Sequence, residues 1–226
     1  MDANNVKVIY QTENSLIVYV KDFLPFENQE KLLRQLSKNI QWRKEVDDFG
    51  VQDRESCYMG NDPSCIFSYV GLKLTPNKWN FDCQGIRDKL NRIIAPYISK
   101  QLPQLQEKDC RVTACLMNYY RKGEGMIPWH SDEVRAHGRG KVVASVSLGG
   151  PRPFELKKRN ENDEDATIMS ITLDPGSVLL MAGDVQEEFL HRLPLSEENS
   201  PERISLTMRS IVPGFETTLD DSLKVK

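Results

Sequence analysis

The chain has 226 residues, 39% hydrophobic and 28% charged, enough for one sizeable core and unlike a disordered, collagenous or coiled-coil sequence. Its net charge of -3 confines any nucleic-acid contact to one local face, because such contact depends on basic patches. The five cysteines, Cys57, Cys65, Cys83, Cys110 and Cys115, have no CxxC spacing and no histidines at zinc-finger distance, so reduced thiols of an intracellular protein are expected.

The N-terminus lacks the charged region and long apolar run of a signal peptide. The longest apolar stretches, such as 178–182, fall far short of the ~20 residues a bilayer needs. A soluble, nuclear or cytoplasmic protein with no membrane partner is the expectation. Residues 15–20 (SLIVYV) read as a first strand. Beyond Pro25, Leu32, Leu33, Leu36 and Ile40 recur at helical spacing. A second helix is predicted over about 83–98, with Ile86, Leu90, Ile93, Ile94 and Tyr97 as its stripe and Pro96 near its end. Between these helices, residues 43–81 are rich in turn formers and aromatic residues (Phe49, Tyr58, Phe67, Tyr69, Trp79). A segment this long is expected to carry function.

From residue 111 the pattern turns to short β-branched runs: RVTACLMNYY, KVVASVSLGG, PFELKKR, ATIMSITL, SVLLMAG and RISLTMRSIV. Turn residues separate them, and 160–165 reads as a solvated hairpin tip. Helices first and strands after predict an α+β chain whose C-terminal half is a sandwich or jelly roll.

The chain has three histidines, His130, His137 and His191. His130 and Asp132 are two residues apart, so in an extended segment both side chains point to one side. With His191, placed after a predicted strand, they make two imidazoles and one carboxylate, the donor set of the non-haem iron oxygenases. A zinc hydrolase uses similar donors, and His-x-Asp by itself is also a common surface turn. The last strand adds to the evidence. Along 203–209, Arg203, Ser205, Thr207 and Arg209 share one face, while Ile204, Leu206 and Met208 share the other. A cationic strand face suits a dicarboxylate, because guanidinium groups grip carboxylates in a fixed fork. Asn118 and Tyr120 share a face of the 111–120 strand and suit the same acid.

Asn118-x-Tyr120, Gly123, His130-x-Asp132, His191 and Arg203-x5-Arg209 together resemble the AlkB family of oxidative demethylases over roughly residues 40–212. Residues 144–149, 191–194 and 69–79 extend the likeness, the last resembling the recognition lid of eukaryotic DNA-repair members. The resemblance implies a single domain (1–226) with a double-stranded β-helix core at 111–212. N-terminal helices and a nucleotide-recognition lid at about 43–81 lie within 1–110, and 213–226 is a tail. It implies Fe(II) on His130, Asp132 and His191, and 2-oxoglutarate on Asn118, Tyr120, Arg203, Thr207 and Arg209, with O2 as the oxidant. The implied reaction removes N-methyl groups from 1-methyladenine and 3-methylcytosine, releasing formaldehyde, succinate and CO2. The implied partner is methylated DNA ahead of RNA, met by a monomeric enzyme, and the implied process is alkylation repair. An RNA demethylase and an oxygenase acting on a protein are the alternatives.

By position, Tyr69 stacks on the flipped base, Phe67 lines the lid, and Glu133 stands where repair members often carry Asp to read the exocyclic amine. Arg54 and Arg135 are further substrate-side candidates. Phe49 falls where duplex-acting members place an apolar finger. Asp47 and Asp48 beside it are unfavourable near phosphates, and a single-stranded substrate weakens the need for a finger. Arg135, Arg139, Lys141, Lys157, Lys158 and Arg159 are candidate phosphate contacts.

Overall fold

The structure is a computed structural model that describes residues 5–69, 71–159, 169–195 and 197–214, Tyr69 by its backbone alone. The expected hairpin tip at 160–165 and the tail after Gly214 lie outside the described residues. Side-chain alternation fixes the layers. An eight-stranded antiparallel sheet runs in the order β1 (Val6–Gln11), β2 (Ser15–Val20), β12 (Val178–Gly183), β9 (Val143–Gly149), β14 (Arg203–Arg209), β7 (Ala114–Tyr120), β4 (Gly50–Gly60), β3 (Arg43–Asp47). A four-stranded sheet runs β11 (Met169–Leu173), β10 (Arg152–Lys158), β13 (Phe189–Leu193), β8 (Ile127–His130). A two-stranded ribbon pairs β5 (Phe67–Tyr69) with β6 (Leu72–Leu74).

One face of the large sheet packs under two helices, α1 (Phe26–Asn39) and α2 (Phe81–Gln101). Leu36, Leu90, Ile94 and Ile98 meet Leu180, Ile204, Leu206 and Met208 there. The other face meets the small sheet through Ile17, Leu179, Met181, Leu156, Leu173 and Phe189. Both faces of β2 and β12 are therefore covered, and every residue of both strands is buried. That explains their continuous apolar runs, which lack the alternation of a half-exposed strand. Two sheets face to face with a polar cavity between them form the expected jelly roll. Among the described residues, no helix is long and apolar enough to cross a membrane.

Several expectations are corrected. Residues 43–60 are not irregular: β3 and β4 extend the large sheet at its edge, with β4 paired to β7. The part of 43–81 outside the large sheet and α2 is the stretch around the β5–β6 ribbon. β1 precedes the strand expected to be first; its polar flanks and exposed Val8 give little periodic signal. α2 continues past Pro96 to Gln101, held by the buried Ile98 and Leu102. Asn80 caps its start, the side-chain oxygen accepting from the amides of Asp82 and Cys83. His191 follows β12 as expected and sits inside a further strand, β13, of the small sheet. All five cysteines are free and buried.

Candidate metal centre and co-substrate pocket

His130 and His191 face each other across the β8–β13 pair, their ring centroids 4.2 Å apart. Asp132 lies just past the end of β8, its Oδ1 4.0 Å from His130 Nε2. One donor atom from each of the three lies within 4.8 Å of the others. The His130 Nδ1–H donates to the Pro128 carbonyl at 2.8 Å, which leaves the Nε2 lone pair facing the cluster. Phe154 stacks on the His191 ring at 5.2 Å and fixes its plane. Burial pushes His191 down to about 3, helped by the neighbouring His130. Burial also lowers His130, against the pull of Asp132. Burial alone would raise Asp132, but the Arg209 guanidinium and the two imidazoles reverse this and hold it well below the carboxylate range. The set is thus two neutral imidazoles and one carboxylate, the protonation states a divalent cation requires. These donors fit the iron triad.

The cavity beside them is lined by β14 and its neighbours on one wall and by the small sheet on the other. All four polar residues of β14 face it, as the alternation predicts: Arg203, Ser205, Thr207 and Arg209. Their apolar neighbours Ile204, Leu206 and Met208 go to the helix-side core. Arg203 is 2% exposed, with its Nη2 donating to Ser147 Oγ at 3.0 Å and its Nε left without any hydrogen-bond partner. Its guanidinium sits 5.5 Å from the Tyr120 ring centroid. Burial lowers its pKa to about 10, so it stays charged at neutral pH. A buried guanidinium nitrogen without an acceptor is costly, and an anionic group in the cavity would supply the acceptor that Nε lacks. Asn118, whose Oδ1 accepts from Arg54 Nε at 3.3 Å, and Tyr120 line the same cavity. Ser145, Ser205 and Thr207 form a line of hydroxyls at 3.2 Å spacing.

Arg209 lines the cavity as expected from the strand alternation and has a second contact there. It grips Asp132 through two bonds, 2.9 Å from Nε to Oδ2 and 3.1 Å from Nη2 to Oδ1, and so helps to hold that carboxylate ionised. On the substrate side, Phe67 forms part of the wall with Arg209 5.0 Å from its ring centroid. Arg54 is buried in the same wall. The Tyr69 side chain lies outside the described residues. Glu133 and Arg135 are held to each other at 2.8 and 3.0 Å, so the expected base reader and the expected phosphate contact form one ion pair.

Phe49 is 88% exposed at the β3–β4 turn. Its two acidic neighbours have structural roles: Asp47 caps the Phe49 amide and accepts from Gln52, and Asp48 packs on Gly71, where any Cβ would overlap its carboxylate. Members of the basic cluster have partners within the fold. Lys141 is bound by Asp184 and Glu187, Arg159 donates to Ser131, and Lys157 and Arg192 flank Trp129 at 5.0 and 4.6 Å. Sequence reasoning missed Ser147, Phe154 and Gln186. The Ser145-x-Ser147 alternation held a signal for the first, whereas Phe154 and Gln186 carry none.

A family model described as the 2OG-Fe(II) oxygenase superfamily matches residues 16–209. The DNA oxidative demethylase ALKBH2 of Arabidopsis thaliana is 28% identical over 236 residues, covering 93% of this chain and 71% of that protein. The alpha-ketoglutarate-dependent dioxygenase alkB homolog 3 of Homo sapiens is 24% identical over 201 residues, covering 84% of this chain. The match spans 64% of that relative, less than two thirds of its length. Among solved structures, OsALKBH1 superposes with a TM-score of 0.63 at 17% identity, over 90% of this chain and 100% of that one. A Pseudomonas putida prolyl-4-hydroxylase gives 0.56 at 15% identity, over 85% and 91%. At these identities the two structures speak to the fold.

Proposed function

The chain belongs to the 2OG-Fe(II) oxygenase superfamily and, within it, to the AlkB family, and from that premise we propose that it removes N-methyl groups from 1-methyladenine and 3-methylcytosine in DNA, ahead of RNA. The observation that carries the reading is Arg203, a buried cation with an orphaned Nε, facing the same cavity as His130, Asp132 and His191.

In this reading His130, Asp132 and His191 would hold Fe(II). Arg203 pairs with the far carboxylate of 2-oxoglutarate, and Ser147 holds that guanidinium in place. Tyr120, Asn118 and Thr207 orient the co-substrate, and Arg209 keeps Asp132 ionised while sharing the nearer carboxylate. Iron, when bound, supplies the O2-dependent oxidation that places one oxygen atom on the methyl carbon and the other in succinate as CO2 leaves. The N-hydroxymethyl product then breaks its C–N bond, giving formaldehyde and the unmethylated base. Phe67 walls the base pocket, and Glu133, steadied by Arg135, offers an acceptor for the exocyclic amine. The apolar wall of Leu116, Val143, Leu179 and Met181 excludes water from the reacting carbon.

The test is methyl loss by mass from 1-methyladenine and 3-methylcytosine oligonucleotides given Fe(II), 2-oxoglutarate and ascorbate. Single-stranded DNA, duplex DNA and RNA form separate arms. Demethylation of DNA is expected. Succinate formation with a different acceptor, and no methyl loss from any oligonucleotide, overturns the reading.

A further inference from the structure

Asp132 lies two residues past the end of β8, so its backbone amide falls outside the strand ladder. A buried amide needs an acceptor. The acceptor is Gln186, 3% exposed, whose Oε1 takes the Asp132 N–H at 2.8 Å. The other end of the carboxamide is also committed, since Nε2 donates to Met181 Sδ at 3.6 Å. Both ends of Gln186 are therefore fixed within the fold.

Gln186 stands on α3 (Val185–Glu188), a single turn tied down from several sides. Lys141 bridges Asp184 and Glu187. Glu188 accepts from Tyr10 at 2.9 Å and Ser15 at 2.5 Å, and its carbonyl takes the Arg159 amide at 2.9 Å. The Asp184 amide donates to the Asn14 carbonyl at 3.0 Å. A four-residue turn has little stability of its own. These ties make it a rigid bracket that spans β2, β10 and the entry to β9, with one inward arm. That arm ends on the backbone of a candidate metal ligand.

We propose that Gln186 is a positioning residue for the metal centre: it fixes the main chain of Asp132 so that its carboxylate converges with His130 and His191. The inference rests on the metal reading of that triad. Gln suits the task because its oxygen accepts from the Asp132 amide while its nitrogen anchors the side chain on Met181. Removing an outer partner of a metal ligand typically weakens metal binding 10- to 100-fold.

The test measures Mn(II) dissociation constants by electron paramagnetic resonance, with no turnover involved, on wild type, Gln186→Leu, Gln186→Glu and Tyr10→Phe. Gln186→Leu, which removes the acceptor at similar size, is expected to bind Mn(II) at least tenfold more weakly. Gln186→Glu, which keeps an acceptor oxygen at the same reach and guards against a folding failure of the leucine variant, is expected within threefold of wild type. Tyr10→Phe loosens the bracket without touching Gln186, and is expected to lower Tm while leaving the Mn(II) constant unchanged. Wild-type affinity in Gln186→Leu, or a loss in Tyr10→Phe as large as in Gln186→Leu, overturns the inference. Failure of wild type itself to bind Mn(II) overturns the triad reading instead.

Discussion

Replacing Arg203 with Met should strengthen the fold and disable the site. Arg203 is 2% exposed, and its charge is met inside the protein by two neutral side chains, Ser147 and Tyr120. Its pKa falls from 12.5 to about 10 by burial. At roughly 1.36 kcal/mol per pKa unit, carrying that charge costs the ligand-free fold on the order of 3 kcal/mol. Met keeps most of the side-chain volume and removes the charge. Arg203→Met should therefore raise the unfolding free energy of the metal-free protein by up to about that amount, less the lost Ser147 bond. Binding should move the other way. Truncating one partner of a buried charge pair costs about 2–5 kcal/mol, which is roughly thirtyfold to several thousandfold in affinity. Urea unfolding in EDTA gives the first quantity, and KM for 2-oxoglutarate in a succinate assay gives the second. A variant destabilised by more than about 1 kcal/mol with an unchanged KM would refute the reasoning, because Arg203 would then be a structural strut.

His137 is buried with neither ring nitrogen hydrogen-bonded, and burial pushes it down to about 4 from 6.5. Its folded form binds fewer protons than the unfolded chain between those values, so its stability is complete above about pH 6.5 and lost as pH falls towards 4. His137→Leu should make urea stability less acid-sensitive by about 3 kcal/mol across that window; an identical pH profile would contradict the burial argument. Gly125 has φ +94, and a Cβ there would overlap the Tyr120 ring. Gly125→Ala should cost about 1–3 kcal/mol of stability and raise KM for 2-oxoglutarate, whereas an unchanged KM would remove Tyr120 from that site. Phe67→Ala should raise KM for a methylated oligonucleotide roughly 5- to 150-fold, from a stacking loss of about 1–3 kcal/mol, and more than it raises KM for 2-oxoglutarate. Equal changes in both would mean that Phe67 acts only through Arg209.

The polar face of β14 was legible because a strand's period of two sorts Arg203, Ser205, Thr207 and Arg209 from Ile204, Leu206 and Met208 whatever the sheet around them. His130 and Asp132 were legible as a His-x-Asp pair, although Asp132 lies beyond the end of β8. The partners chosen across space were not. Nothing local says that Arg209 will take Asp132, that Phe154 will stack on His191, or that Gln186 will find a main-chain amide 54 residues earlier. Residues 43–60 misled for a related reason. In β4 the polar Gln52, Arg54 and Ser56 are buried while Val51 is exposed, so the usual apolar-in, polar-out alternation is inverted and the segment resembled a loop composition. β13 was hidden by the acidic turn before it and by its brevity, five residues.

The most direct test of the central claim is the ratio of formaldehyde released to succinate formed on single-stranded DNA carrying 3-methylcytosine. The account predicts a ratio near one-to-one in wild type, and neither product from Asp132→Ala. Succinate without formaldehyde in wild type, or full formaldehyde release from Asp132→Ala, would contradict it.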